Sequence, residues 1–305
     1  SHNHPVETDA LAKIETIVRE SVHQDLTVYA QPSPLASAKQ ISGLRAVFGE
    51  VYPDPVRVVS IGQPVPDLME SPTNPAWQEI SVEFCGGTHV ESTGQIAAFA
   101  LIAEEAVAKG VRRITALTGN RALEATHAAD QLAERVRAAG SLPDDQIAGE
   151  VITLTAAVDA AILPAVRKAA LRTSIATLQE RAKQAAKAAS AGKQAEAVRE
   201  ARIIAESAAT ANEMIIVACI EVGDDKSAVT AALKVIRDKN PKSAVMLFST
   251  DAAGGKVSIS AAVPDWLIAK GLKAGDWLRE VAPIVGGKGG GKPDFAQGGG
   301  TEVSK

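Results

Sequence analysis

The sequence predicts an α+β protein with three successive parts: a mixed α+β region, a long helical hairpin and a small α/β region. Three observations favour this fold class. Short helical and strand patterns alternate over residues 1–122, an alanine-rich helical pattern fills residues 123–211, and strand patterns return over residues 212–305. A chain of 305 residues is long enough for two or three domains of ordinary size. We therefore place the predicted domain boundaries at these two changes of pattern.

The first region begins with an amphipathic helical pattern and continues with short strands. Residues 56–61 and 80–84 are rich in β-branched and other apolar side chains, which predicts two strands. Between them, residues 64–75 are rich in Pro, Asn and Ser, which is typical of a surface loop. Residues 96–109 have apolar positions at helical spacing, and Gly110 is a suitable C-cap, so we predict a helix there.

The second region is dominated by alanine and by helical spacing of its apolar residues. Pro143 and Pro164 are expected to break or kink the run, because proline lacks a backbone donor and clashes with the preceding turn. Gly192 is expected to mark a turn between two long helices. The result is a predicted helical hairpin that acts as a spacer or as a pairing surface.

The third region changes back to a strand-like pattern. Residues 214–220 predict a buried strand, residues 226–238 a helix, and residues 244–248 and 256–263 two further strands. This β-α-β alternation is typical of a small α/β domain. Cys219 falls inside the apolar strand, so we expect it to be an unreactive core thiol.

Composition limits the classes of function. The net charge of −4 provides no global attraction to nucleic acid, so any RNA contact must come from local patches. The two cysteines lie far apart, which excludes a disulfide scaffold and indicates a reducing compartment. The apolar runs are shorter than the roughly 18 residues of a membrane span. We expect a cytoplasmic location, with an organelle as the alternative, and no membrane partner.

The most informative motif is SVEFCGGTHV at residues 81–90. It places a thiol at Cys85 and an imidazole at His89, with Gly86, Gly87 and Thr88 between them. Thiolate and imidazole are preferred ligands of zinc, and a short glycine-containing turn lets both reach one ion. Zinc requires four ligands, or three and an open position, and the chain has no second Cys-His pair at suitable spacing. The pair by itself therefore predicts an incomplete site.

The whole decapeptide resembles the signature of the alanyl-tRNA synthetase editing domain and of its free-standing relatives. Residues 47–59, with the FGEVY and VRVV stretches, and residues 109–119, with GVRRI and TG, are similar to the family's segments on either side of the motif. Residues 285–300 resemble the glycine-rich hallmark of the family's C-terminal domain, of the C-Ala or DHHA1 type. Two specific motifs in this order extend the resemblance over essentially the whole chain. It predicts a partial editing domain, a helical spacer and a C-terminal domain that binds nucleic acid.

The resemblance implies a chemistry for the motif. In this family the Cys and His complete a Zn²⁺ site that begins with an upstream HxxxH pair, and this chain contains no HxxxH. We therefore expect the chain to begin partway through an editing domain. The family hydrolyses tRNA(Ala) mischarged with serine or glycine, so Cys85, Thr88 and His89 are the candidate catalytic residues, and Cys85 and His89 the candidate metal ligands. Whether zinc would activate water, polarise the carbonyl or orient the aminoacyl group stays open.

Two segments are candidates for contacts with tRNA. Arg112 and Arg113 are adjacent and point in different directions, which leaves two alternatives: one contacts RNA phosphate while the other braces the fold, or both are simple surface residues. The GGKGGGK run alone is typical of a flexible linker, whereas its resemblance to the family favours a tRNA-binding loop. Lys292 stands where the family often has arginine, which keeps the charge but loses bidentate geometry. The candidates in this segment are Gly287, Lys288, Gly290, Lys292 and Gln297.

Two functions follow as hypotheses. In the first, the chain is the editing and tRNA(Ala)-binding portion of an alanyl-tRNA synthetase and needs the remainder of the synthetase to supply the missing zinc ligands. In the second, it is a non-catalytic RNA-binding or structural component of a larger ribonucleoprotein assembly. The missing ligand pair favours the second hypothesis for this chain alone. The nearly intact motifs favour the first hypothesis for a longer protein that contains this chain. An aminoacylation core is not recognisable, and a homodimer stays open.

Overall fold

The structure, a computed structural model, describes residues 5–47, 49–108, 111–223, 225–251 and 254–303. The chain forms two compact units, Ser1–Glu180 and Arg181–Lys305. Helices and sheets both contribute, with a long helix and a C-terminal sheet, so the predicted mixed fold class is confirmed. Of the helices in the described ranges, none combines the length and the apolar character that a membrane span requires.

The first unit opens with helix α1 (Thr8–His23), followed by a three-stranded antiparallel sheet. In spatial order its strands are β1 (Val28–Ser33), β2 (Val56–Ile61) and β3 (Val82–Phe84). Two short helices, α2 (Leu35–Ala38) and α3 (Val65–Glu70), pack on the buried face of this sheet. The prediction of a surface loop over residues 64–75 is therefore wrong in part, because burying Val65 and Leu68 against the strands stabilises a helical turn there.

A separate two-stranded sheet follows, with β4 (Phe99–Ala108) paired to β5 (Val111–Thr118). The helix predicted over residues 96–109 is wrong for the described part of that range, which is strand β4 after a short 3₁₀ turn; Lys109 and Gly110 lie outside the described residues. The antiparallel register begins at the pair Phe99 and Thr118, so the strand's backbone groups are satisfied by a partner segment rather than within a helix. Pairing between distant residues has overridden local helical propensity.

Three helices then follow as α4 (Gly119–Ala139), α5 (Asp144–Ala160) and α6 (Ala165–Ala211). The predicted interruptions at Pro143 and Pro164 are confirmed, since each proline lies between two helices. The predicted turn at Gly192 is wrong, because α6 runs through it for 47 residues. One glycine costs only about 1 kcal/mol in a helix interior. That cost is too small to stop a helix that buries Ala197 and further alanines at four-residue spacing.

The second unit is built on a five-stranded sheet in the order β6-β7-β8-β10-β9. Helix α7 (Lys226–Lys239) connects β6 to the parallel strand β7, which confirms the predicted β-α-β unit, and the other pairs are antiparallel. The strands are β6 (Ile215–Ile220), β7 (Ala244–Asp251), β8 (Lys256–Ala262), β9 (Lys288–Gly291) and β10 (Phe295–Gly300).

Different helices pack on the two faces of this sheet. On one face, α7 and the alanine stripe of α6 pack against strands β6, β7 and β8. On the other face lie α8 (Asp265–Ile268) and α9 (Ala274–Val281). β6 is an edge strand, and its alternate residues Ile215, Val217 and Cys219 are exposed. The prediction of a buried core thiol at Cys219 is therefore wrong, because an edge strand is buried on only one of its faces here.

The glycine-rich segment forms two paired strands, and so it is neither a flexible linker nor a loop. Strand β9 contains Gly289 and pairs with β10, where Gly298 lies opposite it. Leu278 of α9 packs directly onto both glycines, since a Cβ at Gly289 would overlap its Cδ2 and a Cβ at Gly298 would lie 2.7 Å from it. Glycine is needed at these two positions so that the helix can approach the sheet closely.

Candidate metal site and nucleic-acid-binding residues

Strand β3 places two ligand-type side chains on one face of the first sheet. Val82 and Phe84 are buried in the apolar core, so the strand alternation turns Glu83 and Cys85 towards the opposite face. The CGGTH turn then brings His89 back to the same place. Each of the carboxylate, the thiol and the imidazole offers one atom as a potential metal ligand, and these three atoms lie within 4.8 Å of one another.

Arg57 on β2 holds the turn between the two motif residues. Its Nη1 donates hydrogen bonds to the carbonyl oxygens of Cys85, at 2.8 Å, and Gly87, at 2.6 Å. Its own carbonyl accepts from the Cys85 amide at 3.3 Å, so backbone and side chain both secure the segment. The same Nη1 lies 3.5 Å from Nδ1 of His89. On the other side of the ring, Nε2 of His89 lies 4.0 Å from a carboxylate oxygen of Glu83.

These residues fit a zinc ion. Tetrahedral zinc with bonds of about 2.0–2.3 Å places its ligand atoms about 3.5 Å apart, and the three ligand atoms here lie within 4.8 Å of one another. Thiolate, imidazole and carboxylate are also the donor types that zinc prefers. Three protein ligands with one open position are typical of catalytic rather than structural zinc sites.

The support that Arg57 provides leads to a prediction. Arg57→Met is expected to weaken zinc binding by about 10- to 100-fold, because partners that hold ligands in place typically contribute that much to metal affinity. Competition with a chromophoric chelator measures the affinity. Arg121→Met, which removes an exposed arginine on α4, is the matched control and should leave the affinity unchanged. Equal affinities in the two variants would show that the turn does not depend on Arg57.

A small pocket opens beside the cluster and is lined in part by Glu83 and His89. Its volume is about 160 Å³. The remaining walls come from β1, β2, the two ends of the motif and the segment after it, and most of them are apolar. The lining residues are Val28, Val59, Ile61, Ser81, Val90, Thr93 and Ile96. The arrangement suits a small, partly polar group held next to a metal ion.

The other motif residues contribute less to this geometry. Thr88 is exposed, and no hydrogen bond of its hydroxyl is found among the described residues. Gly86 and Gly87 do not belong to the residues with positive φ, and a Cβ at Gly86 would meet nothing within 4 Å. The motif therefore does not need these glycines for a left-handed backbone. Glu83 provides a third potential ligand beside Cys85 and His89, and Arg57 holds the turn between them. Neither residue was predicted as a site residue from the sequence.

The two adjacent arginines lie in different environments. Arg112 forms a bidentate ion pair with Glu104 across the β4–β5 sheet, and both side chains are largely buried. The hydrogen bonds to Glu104 raise the pKa of Arg112 above its ordinary value. Arg113 is exposed. Arg112 therefore braces the hairpin, whereas Arg113 is left at the surface.

The five candidates in the glycine-rich segment do not all meet. Gly287, Lys288 and Gln297 line a cavity of about 720 Å³ in the second unit. Gly290 and Lys292 are exposed and are not among its lining residues. The amide of Lys292 donates to the carbonyl of Phe295 at 2.8 Å and so closes the β9–β10 hairpin.

The chain matches two family models. One is described as the threonyl and alanyl tRNA synthetase second additional domain and covers residues 56–115. The other is the DHHA1 domain and covers residues 212–305. The metal cluster lies within the first match, and the five-stranded sheet lies within the second. The fold and the site therefore define a protein with a synthetase-type second additional domain followed by a DHHA1 domain.

Known relatives specify the family further. The chain is 38% identical to the cytoplasmic alanine–tRNA ligase of Drosophila melanogaster, over 97% of this chain and 31% of that protein. It is also 38% identical to the cytoplasmic enzyme of Dictyostelium discoideum, over 100% of this chain and 32% of that protein. The chain thus spans about a third of the length of these curated relatives. It corresponds to the C-terminal part of the alanyl-tRNA synthetases, as the resemblance predicted.

Two further comparisons concern a mitochondrial relative and a solved structure. The mitochondrial alanine–tRNA ligase of Saccharomyces cerevisiae is 34% identical over 98% of this chain and 30% of that protein, so relatives carry names from two compartments. A crystal structure of the C-Ala domain from Aquifex aeolicus alanyl-tRNA synthetase is 26% identical. That match covers 30% of this chain and 78% of the other, with a TM-score of 0.27.

Proposed function

We propose that this chain is the editing and tRNA-binding part of an alanyl-tRNA synthetase, and that it hydrolyses Ser-tRNA(Ala) and Gly-tRNA(Ala) when the missing upstream zinc ligands are supplied. The observation that carries the proposal is the convergence of Glu83, Cys85 and His89, with ligand atoms within 4.8 Å of one another. Cys85 and His89 are the proposed zinc ligands. The remaining positions belong either to histidines of a longer chain, as the resemblance implies, or to Glu83 within this one.

The pocket beside the cluster supports a small substrate group. Binding sites for drug-sized ligands have volumes of about 300–1,000 Å³. The pocket here is only about 160 Å³, so it suits an aminoacyl group as small as serine or glycine. Ser81 in its lining is polar and suits a hydroxyl or ammonium group, whereas the Thr93 hydroxyl already donates to the carbonyl of Ser21 and accepts from the amide of Leu26. Bound zinc supplies Lewis-acid polarisation of the ester carbonyl.

The proposal is tested by following release of the amino acid from charged tRNA(Ala). The 305-residue chain, combined with the remainder of an alanyl-tRNA synthetase that carries the HxxxH pair and with added Zn²⁺, is expected to deacylate Ser-tRNA(Ala) and Gly-tRNA(Ala) faster than the same mixture treated with a chelator. tRNA(Ala) charged with phenylalanine should react at the background rate, because that side chain exceeds the pocket. Hydrolysis that is independent of zinc, or equal for the bulky amino acid, would contradict the proposal.

The second candidate is a non-catalytic RNA-binding component of a larger assembly. The cluster itself favours this candidate. It has three donors among the described residues. The side chain of one of them, Glu83, is 46% exposed, which is more solvent exposure than is usual for a metal ligand that the protein holds in place. In the same assay this candidate predicts tight binding of tRNA without deacylation at any zinc concentration. Zinc content of the purified chain, by elemental mass spectrometry, separates the two candidates before any activity is measured.

A further inference from the structure

Strand β6 forms one edge of the five-stranded sheet in the second unit. It pairs with β7 on its inner side. Among the residues that the structure describes, no strand or loop forms a hydrogen bond to its outer side. An edge of this kind presents a row of unpaired backbone donors and acceptors, to which a further strand can be added.

The residues of β6 lack the features by which proteins usually protect such an edge. Charged side chains, proline, a bulge and a very short strand are common forms of protection. Strand β6 has the sequence IIVACI, without a charged residue or a proline, and its register with β7 is continuous. Strand β9, at the opposite edge, is only four residues long and contains Lys288. We therefore expect strand addition at β6 rather than at β9.

One face of β6 carries exposed apolar side chains. Ile215 and Val217 are 54% and 59% exposed, and the side chain of Cys219 is exposed as well. In the register with β7, Val217 lies opposite Met246, which is buried in the apolar cluster that includes α8 and α9. The apolar face of the sheet thus continues from this cluster onto β6. A further strand with apolar residues at alternate positions would extend the same face.

Acidic side chains lie at one end of this edge. Desolvation of the thiol and the charges of Glu221 and Glu200 raise the pKa of Cys219, which places both carboxylates near it. Neither carboxylate forms an ion pair within the described ranges of the chain. Glu213, at the other end of β6, lies with two lysines around a cavity of about 370 Å³. Uncompensated negative charge is therefore concentrated at the Glu221 end.

A second copy of this chain does not fit the edge. Antiparallel pairing about Val217 is the register that would match the exposed apolar residues of two β6 strands with each other. In that register Glu213 of each copy would lie opposite Glu221 of the other. Like charges directly opposite each other destabilise a strand pair. The charges favour a basic partner instead.

We propose that β6 is a docking site for another protein, which adds an extended segment to this edge of the sheet. The segment has apolar side chains at alternate positions, beside Ile215, Val217 and Cys219, and a basic residue at the end that meets Glu200 and Glu221. In this mode of recognition main-chain hydrogen bonds supply affinity, and alternate side chains supply specificity. The inference is independent of the proposed editing reaction, because the metal cluster lies in the first unit.

The test measures binding of the full chain to a fluorescein-labelled synthetic peptide by fluorescence anisotropy. The peptide alternates valine and threonine and has a lysine at each end, so that either orientation brings a lysine to Glu221. We expect saturable binding that weakens as the KCl concentration increases, because salt screens exposed charges. Amide hydrogen exchange over Ile215–Ile220 should slow when the peptide binds. A peptide with proline at its centre should not bind, because proline interrupts the ladder of hydrogen bonds.

Val217→Lys is expected to lower the affinity for the peptide about tenfold, the loss that corresponds to one valine-sized apolar contact. The matched control is Val111→Lys, which makes the same change at a strand valine of the first unit that is 50% exposed. It should bind the peptide like the wild-type chain, and circular dichroism checks that both variants are folded. Equal losses in the two variants would overturn the inference.

Glu200→Gln/Glu221→Gln is expected to weaken binding and to reduce its dependence on salt. Asp276→Asn/Glu280→Gln, which removes two acidic side chains from α9 beside strand β9, should leave both unchanged. Equal binding of the proline peptide, or unchanged exchange of the β6 amides, would overturn strand addition. A dimer of the wild-type chain in sedimentation velocity that Val217→Lys dissociates would overturn the basic partner in favour of a second copy.

Discussion

Replacing Cys85 with alanine is expected to abolish zinc binding and the deacylation of Ser-tRNA(Ala). The thiolate is one of three donors around the proposed ion, and two donors do not hold zinc against water. The loss in affinity should exceed about 100-fold, the upper range for residues that only support a ligand. Elemental mass spectrometry of the purified variant measures the zinc, and release of serine from charged tRNA measures the activity.

Cys219→Ala is the matched control, because it removes the other cysteine, which lies in the second unit. Desolvation of the thiol and the nearby Glu221 raise the pKa of Cys219, which disfavours the thiolate form that binds metal ions. Zinc content and activity should both match those of the wild-type chain. Zinc retained in Cys85→Ala, or lost in Cys219→Ala, would mean that the ion binds elsewhere.

Substituting alanine at Gly289 is expected to destabilise the second unit by about 2–3 kcal/mol. The new Cβ would overlap Cδ2 of Leu278 and lie 2.8 Å from the Cα of Gly298, so helix α9 has to move away from the sheet. Leu278 is fully buried and the Cα of Gly298 is a backbone atom, so a rotamer change of Leu278 alone does not relieve the strain. Differential scanning calorimetry should show a lower Tm for one transition.

Gly290→Ala is the control for this prediction, since it alters the next residue of the same strand. A Cβ at Gly290 would meet nothing within 4 Å. Its Tm should therefore stay close to that of the wild-type chain. If both substitutions lower the Tm equally, glycine is required in β9 for a reason other than the contact with Leu278.

The fold was predictable where local patterns decide the structure. The β-α-β unit around α7 and the helix breaks at Pro143 and Pro164 follow from short-range spacing and from the stereochemistry of proline. The prediction failed over residues 99–108, where a helical pattern lies in a strand. It also failed at Gly192, where burial of an alanine stripe outweighs the cost of one glycine. In both cases, contacts with a segment distant in sequence outweighed the local structural preference.

The residues of the candidate metal site were likewise only partly predictable from the sequence. Cys85 and His89 were recognisable because zinc-type ligands follow each other in one short turn. Glu83 and Arg57 were not, because neither is a distinctive residue on its strand. They become informative only when β2 pairs with β3, which places the Arg57 guanidinium against the carbonyl oxygens of the turn.

The sequence by itself determined the family, the two motifs and the mixed fold class, because these depend on the order and spacing of neighbouring residues. Only the tertiary structure decided which side chains meet at the motif and which face of the glycine-rich strands is open. It also assigned Arg112 to an ion pair within the fold and left Arg113 exposed. Strand pairing and helix packing join residues that are far apart along the chain, and contacts of that range leave no periodic signal in a single sequence.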